Sequence, residues 1–331
     1  MLERVVILGC GVAGLATGIE LSKAGFDVTI LEVTSKARQI RPGESCHPGI
    51  EPLLKQLGVF DQLMKSKPLR YNSVLITIDG ESRTDFFNEE QSWQGFNFDR
   101  AEFDQVLQQK AISAGCKILT GVKIIGFPLQ GNMVKAVDTD KGVFELERLV
   151  DATGLKSITA GKFNLRRIYH SEKQVCSYTQ LKFEHIPARL PRAYFESRNG
   201  SWIYCSMIND QTCSVTCSRN GSFEFSIAEF IQDHFKRPYE VVVSRNYVTS
   251  WSILAPYGID NLFFAGDAFI TYNPISSKGL LKAIMSGIYV AFILTHISRG
   301  KVTLREGNIL YQEWGRELLK NEMQELKKVN I

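Results

Sequence analysis

A chain of 331 residues with 44% hydrophobic content can bury a substantial core, and its length fits two domains or one elaborated domain. Its 39 basic and 35 acidic residues are well mixed and leave a net charge of +4, so the charge balance gives no case for nucleic acid or an anionic membrane. Seven cysteines, an odd number without the spacing of a disulfide framework or a zinc site, read as free thiols of a cytoplasmic protein with no bound metal.

The run VVILG from Val5 is short, β-branched and apolar, the pattern of a buried parallel strand. Because Val5 already belongs to it, no signal peptide is expected ahead of it. Gly9, Gly11 and Gly14 follow in G-x-G-x-x-G spacing. The first allows a tight turn, the second lets a pyrophosphate approach the backbone, and the third lets helix pack on strand. A helix is expected from about Val12 to Ala24, aiming its N-terminal amides at the phosphates and ending at Gly25. The strand FDVTILE closes the unit and places Glu32 to accept hydrogen bonds from an adenosine ribose. That acid disfavours a ribose 2′-phosphate and leaves NAD and FAD open.

Beyond Glu32 the pattern leaves that of a simple alternating dehydrogenase. Pro42 and Gly43 make a loop before a helix carrying Leu53, Leu54 and Leu57. Strand-like stretches follow at Tyr71–Asp79 and Gly95–Phe103, and Arg100 precedes a helical run. Lys117–Ile124 and Leu149–Gly154 read as further strands. From about 155 to 255, the stretches CSYTQLKFEHI, RAYFES, SWIYCSMI, QTCSVTCS and YEVVVSRNYVTSW predict a mostly antiparallel sheet rich in aromatics. Within it, alternation puts Cys213, Val215 and Cys217 on one face. Asp267 then ends a buried strand, well placed for polyol hydroxyls. The apolar run Leu280–Ile297 contains Lys282 and His296, falls short of the ~20 apolar residues of a membrane span, and reads as a core helix.

Four motifs in order, GCGVAG at 9–14, RPGES at 41–45, DATG at 151–154 and FAGDA at 264–268, make the chain resemble a known family. It is similar to the FAD-dependent monooxygenases and halogenases of the p-hydroxybenzoate hydroxylase type, with the related geranylgeranyl reductases. The resemblance covers nearly the whole chain. It implies an α/β fold in which a Rossmann-like FAD-binding domain (1–75, 100–160 and 258–331) is interrupted by a mostly antiparallel β-sheet substrate domain (76–99 and 161–257). It also implies FAD held by Gly9, Gly11, Ala13, Gly14, Glu32, Arg41, Glu44, Ser45, Arg100, Val122, Asp151, Gly154, Gly266, Asp267, Pro274, Gly279 and Leu280. In the family, the position matching Asp267 holds the ribityl chain, and the following helix start faces the pyrimidine edge of the flavin. Ser45, His47, Ser277 and Lys278 are the residues this implies around the reactive ring.

The sequence departs from tryptophan halogenases at three places. SWIYCSM keeps Trp202 of their tryptophan-rich strand, puts Tyr204 in place of the second tryptophan, and lacks the isoleucine-proline pair. Lys65 and Lys67 fit the catalytic lysine position poorly, and Ser276, Ser277 and Lys278 stand where an acid, a serine and a threonine are expected. The expected activity is therefore hydroxylation of an electron-rich aromatic substrate. That substrate is a small molecule, or a tryptophan side chain in a partner protein during quinone-cofactor assembly, as in compact relatives of similar motif order. With no second G-x-G-x-x-G, electrons would come from transiently bound NAD(P)H or from a separate reductase. Halogenation, geranylgeranyl-reductase-like reduction and non-catalytic FAD binding are the alternatives.

Overall fold

The computed structural model describes residues 2–35, 44–186, 190–219, 225–272 and 278–328. Its centre is an all-parallel five-stranded sheet in the order Leu262–Phe264, Arg148–Asp151, Arg4–Leu8, Asp27–Glu32, Lys117–Thr120. Its inner strands carry β-branched and leucine side chains that are wholly buried, among them Val5, Ile7, Val28, Ile30 and Leu149. This is the composition of parallel strands covered on both faces.

The helices are α1 (Val12–Lys23), α2 (Glu51–Leu57), α3 (Phe60–Met64), α4 (Arg100–Ser113), α5 (Ile158–Lys162), α6 (Ile227–His234), α7 (Gly279–Ser298) and α8 (Leu304–Lys328). α1 packs against α4 and α7. Its contact with α7 is close enough to need glycine, since a Cβ on Gly287 would lie 2.5 Å from Ala13 O. α7 is longer than its apolar pattern suggests: at 20 residues it could span a bilayer by length and composition. In this fold it is a core helix, with Ile284, Val290 and Leu294 buried and α8 packed on it. From α8, the fully buried Tyr311 donates its hydroxyl to Phe264 O at 2.6 Å.

A second sheet has seven strands, in the order Tyr239–Thr249, Gln174–Phe183, Thr212–Arg219, Ser201–Met207, Ala193–Arg198, Ser73–Ile78, Glu81–Phe86. Every pairing is antiparallel except that of Ala193–Arg198 with Ser73–Ile78. Alternation gives the sheet two different faces. Ile203, Cys205, Cys213, Val215 and Cys217 pack under α6 against Phe230 and Ile231, which makes Cys213 and Cys217 plain core residues. Cys176, Phe195 and Trp202 lie on the opposite face with Tyr204 and Tyr247. All seven cysteines are buried and unbridged.

A small sheet of Glu44–Cys46, Gly95–Phe98 and Leu69–Tyr71 joins the two layers. Its Asn97 donates to Met207 O at 2.7 Å, and Tyr204 OH lies 3.0 Å from Ser45 Oγ. The fold is thus α/β, with a Rossmann-type parallel sheet and separate antiparallel sheets, as the sequence implied. Some boundaries differ, and the strand-like stretch expected over Gly95–Phe103 ends at Phe98. The strand expected to reach Ile124 stops at Thr120, because Gly121 turns the chain with φ +63°. The helix expected after Arg100 begins on it, capped by Asp99, whose carboxylate accepts from the amides of Ala101 and Glu102.

Candidate active site

The glycine loop is held by backbone contacts that admit no side chain. Gly9 has φ +95°, and a Cβ there would lie 2.5 Å from Ala152 O; a Cβ on Gly14 would overlap Gly9 O. Gly11 is different. It is the N-cap of α1, supplies no side-chain cap, and a Cβ on it would meet nothing nearer than 3.9 Å. The first amides of α1 are therefore left without a side-chain partner, which is what a pyrophosphate requires of a helix start. Ala13 abuts Gly266, whose N–H donates to Ser286 Oγ on α7 at 2.8 Å. Loop, strand end and α7 thus converge.

Glu32 accepts from Cys10 N at 2.9 Å and Thr34 N at 3.0 Å, which fixes the acid beside the glycine loop. Two residues implied as cofactor contacts also make bonds within the protein. Val122 is buried and gives its N–H to Glu32 O at 3.0 Å, so it closes this turn and has no donor left for a ligand. Asp151 has no exposed surface, and its oxygens accept from the amides and hydroxyls of Thr153 and Thr159 at 2.6–2.9 Å. With all those acceptor sites used internally, Asp151 is the anchor of the DATG turn. Gly154 in that turn has φ +71° and open space around it.

Asp267 is exposed, yet burial among protein atoms is the main cause that raises its pKa, with Arg167 opposing and Glu44 assisting. The side chain thus keeps surface open to water beside the cavity that Gly266, Tyr272 and Lys282 also line. Such an acid fits polyol hydroxyls. Arg167, which no motif singled out, braces this corner by donating to Ala268 O at 2.6 Å and Asp267 O at 3.3 Å. Burial lowers its pKa.

Glu44 and Arg100 meet in an ion pair, and Arg100 also binds Asp104 at 3.0 Å. Burial lowers the pKa of Arg100, but the two carboxylates outweigh it and hold the guanidinium above its ordinary value. Ser45 donates to Asn97 Oδ1 at 2.6 Å, which extends the link to Tyr204 into a buried polar chain. Asn97 had no sequence signal, because only the pairing of Glu44–Cys46 with Gly95–Phe98 brings it to Ser45.

His47 Nδ1 accepts from Gly49 N at 3.1 Å, and its ring packs edge-on to Phe87 and Trp93. Burial and the charge of Lys278 lower its pKa, so the ring is neutral with its proton on Nε2. The start of α7 reaches this turn, since a Cβ on Gly49 would lie 3.9 Å from Leu281. Lys278 caps α7 without a side-chain bond and pairs with Glu325 of α8 at 3.3 Å. Gly279 is open and Leu280 is buried in the core. Arg41, Pro274, Ser276 and Ser277 lie outside the described residues.

Lys282, one turn into α7, has no role that its place in an apolar run would suggest. It lines one cavity with Gly266, Asp267, Tyr272, Gly279 and Trp314. Its Nζ is buried 2.6 Å from Glu322 Oε1 of α8, not aligned as a hydrogen bond, and 3.9 Å from the Tyr272 ring centre. Burial lowers its pKa to about 8 against the pull of Glu322.

These residues fit FAD: two helix starts without side-chain caps, open space at Gly11 and Gly279, and the accessible carboxylate of Asp267. The family described as FAD binding domain matches residues 3–305. The tryptophan 2-halogenase of Chondromyces crocatus is 23% identical over 93% of this chain and 64% of that protein. The myxobacterial chondrochloren halogenase CndH has the same fold, with TM-score 0.84 and 18% identity over 98% of this chain and 82% of that one. Aklavinone-11 hydroxylase, solved with FAD and aklavinone, aligns with TM-score 0.73 and 16% identity over 90% of this chain and 63% of that one. The chain spans between 41% and 68% of the length of the first three curated relatives it matches. With a match that runs from residue 3 to residue 305 and so through both sheets, the chain belongs to the family of FAD binding domains.

Proposed function

We propose that the protein is an FAD-dependent monooxygenase that hydroxylates an electron-rich aromatic substrate, drawing electrons from NAD(P)H or a separate reductase. When bound, FAD supplies activation of dioxygen, one oxygen atom going to the substrate and the other to water. The chain's own residues do the rest. The uncapped starts of α1 and α7 offer amides to negative charge, and Asp267 accepts from hydroxyls. The Tyr204–Ser45–Asn97 chain and the Glu44–Arg100–Asp104 pairs hold the wall between cofactor and sheet in one arrangement. His47 accepts from Gly49 N through Nδ1, which leaves Nε2 to carry the proton of its neutral ring, in the turn that the start of α7 reaches.

The observation that carries this reading is the aromatic, hydroxyl-rich sheet face joined to Ser45 through Tyr204, while Lys65 and Lys67 are exposed. The test is NAD(P)H-driven oxygen uptake by the FAD-loaded protein with phenols and indoles, and mass spectrometry of products. A gain of one oxygen is expected. Protein that acquires no flavin absorption after incubation with FAD would sink the reading.

A second reading, halogen transfer, is favoured by one feature, the buried Lys282 amine in the cavity that Asp267 lines. It predicts a bromide-dependent mass gain that Lys282→Met abolishes with flavin content unchanged. Bromide-independent products would discard it.

A further inference from the structure

The strand Tyr239–Thr249 lies at the edge of the seven-stranded sheet. It pairs with Gln174–Phe183 on one side, and no described residue pairs with it on the other. Its 11 residues are about twice the usual strand length. Tyr239, Val241, Val242 and Val248 are 36–52% exposed. A long edge strand with bare apolar side chains is a template for a further strand.

The register with Gln174–Phe183 narrows what can pair there. It slips between Gln180 and Leu181, so that Val243 stands opposite Gln180 and Val241 opposite Leu181, with Val242 as the extra residue of a bulge. Residues an odd number apart on a regular strand face opposite ways. The bulge cancels this for the two charged residues. Glu240 and Arg245 stand opposite Lys182 and Tyr178, which lie an even number apart on one regular strand, and so Glu240 and Arg245 share a face. Val241 and Ser244 share the other face, opposite Leu181 and Thr179, as do Tyr239 and Asn246, opposite Phe183 and Ser177.

A second copy brought up antiparallel around a two-fold axis perpendicular to the sheet keeps each face on its own side. Every residue must then meet one of the same face. For a pairing that runs through both arms of the strand, one register does this. It sets bulge against bulge, with Val242 opposite Val243, and then Val241 opposite Ser244, Glu240 opposite Arg245, and Tyr239 opposite Asn246. Opposite charges meet as a result. Glu240 and Arg245 are both exposed, and neither has an ion pair or side-chain hydrogen bond among the described residues. Each Glu240 would lie between Lys182 of its own chain and the partner's Arg245, on both sides of the axis. Opposite charges in such positions stabilise a strand pair, and like charges destabilise it.

We propose that two copies of this chain join edge to edge along Tyr239–Thr249, in the register that sets each Glu240 against the partner's Arg245. The two seven-stranded sheets then run on as one.

FAD-loaded protein is examined by sedimentation velocity over a range of concentrations, with flavin content read by absorbance. The wild type should be a dimer. Glu240→Arg and Arg245→Glu each bring like charges together, and each should weaken association at least tenfold. The double variant Glu240→Arg/Arg245→Glu restores the opposite pairs and should associate as the wild type does. Both positions are exposed and lie outside the cofactor residues, so all four proteins should carry the same flavin content. A monomeric wild type, a dimer that either single exchange leaves intact, or a double variant no tighter than the single ones would each overturn the proposal.

Discussion

Single residues set the electrical state of the cleft. Arg100 is buried with two carboxylates, and removing one member of such a group leaves an uncompensated charge that costs about 3–5 kcal/mol, which is why its role is fixed by Glu44 and Asp104 together. His47 is the residue whose state changes nearest neutrality. Burial and Lys278 depress its folded pKa below the ordinary value of about 6.5. A depressed folded value means that the unfolded chain takes up the proton first. The stability gained by keeping the ring neutral is therefore complete above about pH 6.5 and is lost as the pH falls through the folded value. His47→Asn keeps an acceptor for Gly49 N and removes the titration. Urea melts should show a smaller loss of stability between pH 7.5 and 5 in the variant than in the wild type, and equal losses would refute this account.

At the level of elements, the site depends on how closely α7 lies on α1. Gly287 allows that approach, and a Cβ there would press on Ala13 O, Thr17 and Ala16 behind the glycine loop. Gly287→Val should cost about 1–3 kcal/mol of stability and weaken FAD binding at least tenfold, read by flavin fluorescence during titration. Retained affinity would show that the loop is indifferent to α7. Period and spacing made the opening strand, α1 and the strand to Glu32 legible, because each is a local pattern. The glycines at 9, 11 and 14 likewise carry their reason in their spacing. Thr153 and Thr159, which bond the Asp151 carboxylate, were not legible beforehand, because a strand-end acid carries no local mark of the hydroxyls it meets. Asn97, Arg167 and Lys282 were illegible, since each acts on residues far away in the chain and no local pattern marks a long-range partner.

For the molecule as a whole, the C-terminal pair of helices completes the cleft. α8 brings Tyr311 under Phe264, sets Trp314 in the cavity wall, and supplies Glu322 to Lys282. A chain ending at Thr303 should lose the flavin absorption of the full protein and digest faster with trypsin. Undiminished flavin loading would show that α8 only decorates the fold. The parallel sheet itself is discontinuous: Leu262–Phe264 pairs with Arg148–Asp151 across roughly 110 intervening residues. Closing a loop of that length costs about 4 kcal/mol of chain entropy before any contact repays it. This has a consequence for biosynthesis. The glycine loop leaves the ribosome about 250 residues ahead of Asp267, roughly 10–50 s at ordinary elongation rates. During that interval the nascent chain holds half of a cofactor site, so loading with FAD waits until Asp267 has also left the ribosome.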